Sequence, residues 1–420
     1  MPDNLKFYII IMLMNCLYFL SFKKCVTSMM VLWIAIVIGL TSLCCTSCRS
    51  DDEEDSNNEN VEKPNNDDDV PNGTYIAGKG YAFDGFFYEI DINNGTAMLL
   101  RIDDETIEDV TIPQHIELAG KTYPVTNING DVCSGLKQLT NVNLPSTITD
   151  IGTSAFNGCE KLASINLPDG LTTIRLYTFQ NCKSLQSISL PQNLTTISNY
   201  AFKGCENLTS ILFPTTLKTI GEEAFRSCNG LKEVIIPEGV TTLGLNAFKD
   251  CRNLKSITIP ASVNCYMSPF EGCNAITYVN ISCRTVIGEF GYNVEQLILG
   301  EGAQCISENA FEDCRKLSTV EFSKTINVIG PSSFSGCSSL TSIVLPENLL
   351  VIQDRAFYNC QNLKSITCLA PTPPNFSDIS GYPVFDPETQ ENGTLYVPSA
   401  SVEIYKSTTG WSDFKNIVGI

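Results

Sequence analysis

Apolar residues return along this chain in a fixed figure, Ala-Phe-x-x-Cys-x-x-Leu-x-x-Ile-x-Leu-Pro-x-x-Leu-x-x-Ile, with polar residues between them and a spacing of 23. Residues 201–223, AFKGCENLTSILFPTTLKTIGEE, and residues 224–246, AFRSCNGLKEVIIPEGVTTLGLN, are two such units in register. The alternation within Leu-x-x-Ile-x-Leu predicts a short strand with every second side chain turned inward. The Ala-Phe-x-x-Cys segment predicts a tight helical or irregular turn. One unit alone buries too little apolar surface to offset the entropy of ordering it, so each must lean on its neighbours. The pattern predicts a solenoid with a spine of stacked phenylalanines.

The Phe slot is a ruler for the array. It holds Phe156, Phe179, Phe202, Phe225, Phe248, Phe270, Phe311, Phe334 and Phe357, with steps of 23 except for one of 22 and one of 41. The leucine that follows each Cys continues through Ile276 and Val294, so the 41-residue step hides a shortened coil of 18 residues, read as having lost its Phe and Cys. Cys133 stands in the Phe slot of the first coil. About eleven coils are expected.

These units resemble BspA-type leucine-rich repeats, found in surface proteins of anaerobic Gram-negative bacteria and some mucosal parasites. The resemblance implies an α/β-type solenoid, a right-handed superhelix with short parallel strands. The flanks are similar to the family as well: FFYEIDINNGTAMLLRI upstream to its β-rich lead-in, and TLYVPSASVEIYKSTTGWSDFKNI downstream to its closing module. We therefore expect a β-rich N-terminal cap over 73–125, the solenoid over 126–368 and a small C-terminal cap over 369–420. Trp411 and Phe414, with Val402 and Tyr405, are expected to plug the last coil, because the end of a solenoid exposes apolar surface that needs a cover.

Charge separates the termini from the array. Lys plus Arg is 27 against 46 Asp plus Glu, a formal charge of −19, which argues against nucleic acid as a partner. Residues 49–72 alone hold ten acids against Arg49 and Lys63. Such a stretch has nothing to bury and is expected to act as a disordered acidic linker. Before it, Lys23 and Lys24 lead into the apolar run MMVLWIAIVIGLTSLCC and then Thr46-Ser47-Cys48. Residues 1–48 read as an export signal whose Cys48 is lipidated; an uncleaved membrane helix over 29–45 is the other reading. The chain is thus expected to hang from the outer membrane by its lipid, displayed at the cell surface.

Nineteen cysteines in an exported chain ordinarily suggest disulfides. Nine of them share one slot, from Cys159 to Cys360, which predicts a column of buried, reduced thiols about 5 Å apart, like the strands. A straight column cannot surround zinc tetrahedrally. Catalytic chemistry is also poorly supplied. His115 is the single histidine, no nucleophile elbow, zinc-helix or phosphate-loop motif occurs, and no cofactor is implied.

What remains is the outward face of the strands. One outward column runs Asn143, Asn166, Ser189, Leu212, Ile235, Thr258, Asn280, Ile298, Glu321, Val344; its companion runs Asn141, Ser164, Ser187, Ser210, Glu233, Ser256, Tyr278, Gln296, Thr319, Ser342. Leu212, Ile235, Ile298 and Tyr278 are apolar or aromatic where water is expected, so Leu212, Ile235, Thr258, Tyr278, Asn280, Ile298 and Glu321 form the candidate ligand-binding face. An adhesin-like role toward an extracellular ligand, a host matrix or plasma protein or the surface of another microbial cell, is implied by the resemblance. A glycan-capture protein ranks lower because Trp33 and Trp411 are the only tryptophans, and a passive envelope spacer is the third reading.

Overall fold

The computed structural model describes residues 72–264, 268–287, 290–377 and 381–420. The expectations for residues 1–71, which include the export signal, Cys48 and nearly all of the acidic linker, lie outside the described residues. Each repeat closes one turn of a β-solenoid of about twelve turns. The main strands are parallel and in register at a step of one repeat: Ser164, Ile165 and Asn166 lie opposite Ser187, Ile188 and Ser189. Inward Ile and Leu side chains are buried and their outward neighbours are exposed, as the alternation requires.

Each coil holds more strand than the single segment expected from the sequence. A second column of two-residue strands, Thr173–Ile174, Thr196–Ile197, Thr219–Ile220 and Thr242–Leu243, stacks in parallel on another side of the coil. Its Ile or Leu points inward and its Thr outward, the same alternation cut to its minimum length. Here Thr195 Oγ1 also donates to the Thr172 carbonyl one coil back at 3.1 Å.

The Ala-Phe-x-x-Cys segment takes the irregular form of the expected turn, with no α-helix in it. Two residues per turn explain this. The residue before Ala, for example Ser154, Tyr177, Tyr200 and Glu223, and the residue before Cys, for example Asn181, Ser227 and Asp250, have positive φ, which a right-handed helix cannot contain. The turns are instead tied across coils: the Phe179 and Phe202 N–H groups donate to the carbonyls of Ala201 and Ala224 in the next coil, both at 2.8 Å.

Those bonds hold the phenylalanines in an offset stack. Phe202, Phe225 and Phe248 lie 5.1 Å apart between ring centroids with interplanar angles of 7° and 6°. The column passes through the shortened coil, contrary to the expectation that this coil had lost its Phe. Phe290 fills the slot, 6.1 Å from Phe270 and 5.7 Å from Phe311. The deletion is divided around the ring, three residues before it (Ile276 to Phe290) and two after it (Phe290 to Val294), so the spine is kept while both counts shrink. The Cys is absent, and Gly291 supplies the carbonyl that Cys314 approaches at 3.5 Å.

Thirteen cysteines lie among the described residues, all but Cys305 of them buried, and none of the nine in the column is in a disulfide. The column thiols have a role beyond filling space. Cys182, Cys205, Cys228 and Cys251 each donate from Sγ to the carbonyl of the Phe one coil back, at 3.1–3.2 Å. That carbonyl already accepts the N–H of the Cys in its own turn, so a small side chain with a weak donor satisfies its second lone pair without burying a hydroxyl.

Parallel stacking runs past both expected ends of the solenoid. At the N-terminus, β1 (Thr74–Ile76), β2 (Gly80–Phe83), β3 (Phe86–Asp91) and β4 (Thr96–Ile102) form an antiparallel meander. The next strand, β5 (Asp109–Thr111), is already the first rung of the main sheet, with Val110 opposite Val142. At the other end Thr394–Val397 and Asn416–Gly419 add two more parallel rungs, and Phe385 extends the spine 5.4 Å beyond Phe357. Trp411 and Phe414 are buried against Phe385. The Trp411 indole N–H donates to the Pro374 carbonyl at 2.8 Å, and Tyr405 packs on the indole edge at 5.2 Å. Long loops separate these last rungs, which hides them from a search for a 23-residue period.

Candidate binding surface

The two outward columns lie side by side on the main sheet. Ile235, Thr258, Asn280, Ile298 and Glu321 are in register on five consecutive strands. Tyr278 belongs to the companion column, between Ser256 and Gln296. Beyond Val344 the first column continues through Thr367, still at a step of 23, and then through Tyr396 and Val418, where loops of other lengths break the period.

Exposure divides the candidate residues. Leu212 is 86% exposed and Ile235 56%, whereas Thr258, Tyr278, Asn280 and Ile298 are half-buried. The apolar members do not form one patch. Ile298 is three strands from Ile235, roughly 14 Å at ~4.8 Å per strand, with Thr258 and Asn280 between them. The structure groups Leu212 with Ile235 and places Val344, 52% exposed, at a second point.

Both points lie where the main sheet is interrupted. The strands up to Ser187–Ser189 form one sheet, those from Glu233–Ile235 to Thr319–Phe322 a second, and those from Ser342–Leu345 onward a third. Residues 210–213 lie in the first gap and join no strand, and no backbone hydrogen bond ties them to a neighbouring coil. A phenylalanine stands just before the break toward the next coil in both places, in ILFP (211–214) and VEFS (320–323). Phe213 meets the Phe225 ring of the next coil edge-on at 5.7 Å, and Phe322 meets Phe334 in the same way at 5.8 Å. Other coils carry Leu or Ile here, as in Leu190 and Ile236. A ring at this position packs edge-on against the spine of the next coil, and in both places the main sheet makes no strand pairing with that coil. Leu212 and Ile235 flank the first break, and Val344 follows the second.

The surface offers few charges. Glu233 and Glu321 are exposed on it, with Lys232 and Lys255 at its border. His115, at the start of β6 (His115–Leu118), is exposed. Among the described residues no group of three or more His, Cys, Asp or Glu side chains is placed to hold a metal.

Comparison with known proteins follows this geometry. The profile described as BspA type leucine rich repeat region matches residues 108–213, 195–291 and 270–382, more than half of the chain. No curated protein matches the sequence. Among solved structures, the chain is similar to a leucine-rich repeat protein from Bacteroides ovatus, at 22% identity and a TM-score of 0.38 over 81% of this chain and 99% of that one. It is also similar to a leucine rich cell surface protein from Faecalibacterium prausnitzii, at 21% identity and a TM-score of 0.38 over 82% and 96%. The pneumococcal vaccine antigen PcpA is similar at 18% identity and a TM-score of 0.36 over 84% and 100%. With that profile matching more than half of its length, the chain belongs to the BspA-type leucine-rich repeat family.

Proposed function

We propose that the chain is a non-catalytic, surface-displayed binding protein that captures an extracellular protein ligand, of host matrix or plasma origin, on the outward face of its main sheet. The observation that carries this reading is the pair Leu212 and Ile235, the former 86% exposed, beside a backbone segment with no inter-coil hydrogen bonds. Folding gains nothing from an aliphatic side chain in water. A protein partner gains from covering it, and from the polar Ser and Asn rim that surrounds it.

Binding is tested by passing plasma and matrix proteins over the immobilised chain and over a variant with Ile235→Ser and Tyr278→Lys. The variant is expected to fold normally and to lose capture of any ligand retained by the parent. Undiminished capture removes this face from the proposal.

Export and anchoring form the second half of the reading. Its support is the apolar run ahead of Thr46-Ser47-Cys48 and the ten acids that follow. Lipid on Cys48 would hold the chain at the outer membrane, since several acyl chains anchor firmly where one is marginal. Cys48→Ala is expected to abolish incorporation of labelled fatty acid and release the chain from the membrane fraction; equal labelling of the variant would exclude Cys48 as the acceptor.

A further inference from the structure

A cavity of about 340 Å³ opens in the C-terminal module, lined by residues between 354 and 413. Tyr382 and Phe376 supply aromatic rings, Gln390 a carboxamide, Asp413 a carboxylate, and Ser377 and Thr409 hydroxyls. The volume lies at the small end of the ~300–1,000 Å³ range of small-molecule sites.

The aromatic wall is held in place at some expense to the fold. Arg355 occupies the turn position that has positive φ in every full coil, at φ 55°, where a long side chain has no local advantage. Its guanidinium lies 3.3 Å from the centroid of Tyr382. One ring face is thereby covered while Tyr382 remains 48% exposed. Phe376 is fixed from behind by Trp411 at 4.6 Å. Gly410, at φ +83°, lets this ring lie against the backbone; a Cβ there would collide with it.

The polar groups are also committed in a particular way. Gln390 is only 9% exposed, and its Nε2 donates to the Gly410 carbonyl at 3.0 Å. Its Oε1, without a donor among the described residues, is left as an acceptor at the cavity it lines. Asp413 adds an exposed carboxylate acceptor. Acceptors and hydroxyls beside a ring face suit a ligand with many hydroxyl donors and one apolar C–H face. The nearby Arg355 guanidinium offsets one of the two lining carboxylates, Asp354 and Asp413, which leaves a modest negative charge and disfavours an anionic ligand.

We propose that this cavity binds one pyranose ring of a neutral glycan, stacked on Tyr382 and hydrogen-bonded to Gln390 and Asp413. This is independent of the protein-binding face, so either can fail alone. The test is saturation-transfer NMR on the full chain with the methyl glycosides of glucose, galactose, mannose and N-acetylglucosamine, each at millimolar concentration. At least one glycoside is expected to show saturation of its ring protons. Tyr382→Ala is expected to weaken that binding about tenfold, the loss of one aromatic contact, and Asp413→Asn to weaken it measurably. Both side chains are substantially exposed, and thermal unfolding checks that the variants fold. Ile235→Ser serves as the control and is expected to leave the signal unchanged. No saturation from any of the four sugars, or equal saturation in both cavity variants, overturns the assignment.

Discussion

Raising the pH from about 8 to about 10 under reducing conditions is expected to unfold the array. Burial pushes the Cys159 and Cys360 thiols from the ordinary cysteine range up to about 12, and Cys182 and Cys228 well above that range. The cause is desolvation of the thiolate, reinforced at Cys182 and Cys228 by neighbouring thiols of the column. The direction of the effect follows from linkage. Below about pH 8.5 both folded and unfolded chains keep the proton, and stability does not depend on these groups. Above it the unfolded chain releases protons that the folded chain retains, so each thiol withdraws about 1.4 kcal/mol per pH unit. The loss continues until the folded thiols themselves ionise, near 12 for Cys159 and Cys360. Three such thiols together withdraw roughly 6 kcal/mol by about pH 10, comparable with the net stability of a domain. Urea midpoints measured at several pH values check this. A double variant with Cys205→Ala and Cys228→Ala is expected to show a shallower slope by about two protons; a midpoint that stays constant from pH 8 to 10 would contradict the buried-thiol account.

Phe225→Ala is expected to cost about 3–5 kcal/mol. The ring is fully buried, stacked at 5.1 Å on both sides and met edge-on by Phe213. Removing it leaves a hole that neither neighbour can close, since each is tied to the next coil through its own N–H. In a chain of coils that contact only their neighbours, the break divides the array into two blocks that unfold separately. The check is a urea transition followed by circular dichroism, with two phases expected in place of one. A loss under about 1 kcal/mol would mean that the stacked rings contribute little beyond filling volume.

The repeat, the ring spine and the thiol column could be read from the sequence because all three recur at one spacing and the core tolerates few residue types in each slot. Where the spacing changed, the reading stopped. Phe290 is hidden in the sequence because the deletion changes its distance to the core positions on both sides, and Phe385 because a long loop precedes it. The first and last rungs of the sheet, Asp109–Thr111 and Asn416–Gly419, lie beyond such loops as well. The second strand column escaped notice for another reason: two residues are too few to show alternation.

The binding face was legible as a set of outward positions but not as a surface. Leu212, Ile235 and Ile298 look alike in sequence, yet only the first two are substantially exposed. The distinction falls beside Phe213, whose ring packs on the next coil. Nor does composition reveal the cavity at Tyr382, since its lining comes from residues 354 to 413 and its geometry depends on a cation stacked from behind.

The break at Phe213 also bears on how the molecule would carry a mechanical load. A strand ladder shares tension among many parallel hydrogen bonds, and the coil of residues 210–213 contributes none on the main sheet. Force along the array must pass there through the turn bonds, such as Phe202 to Ala224, and the two-residue strand Thr219–Ile220. A pull on a captured ligand would therefore part the array first beside Leu212, and the coils on either side would stay wound as it gave way.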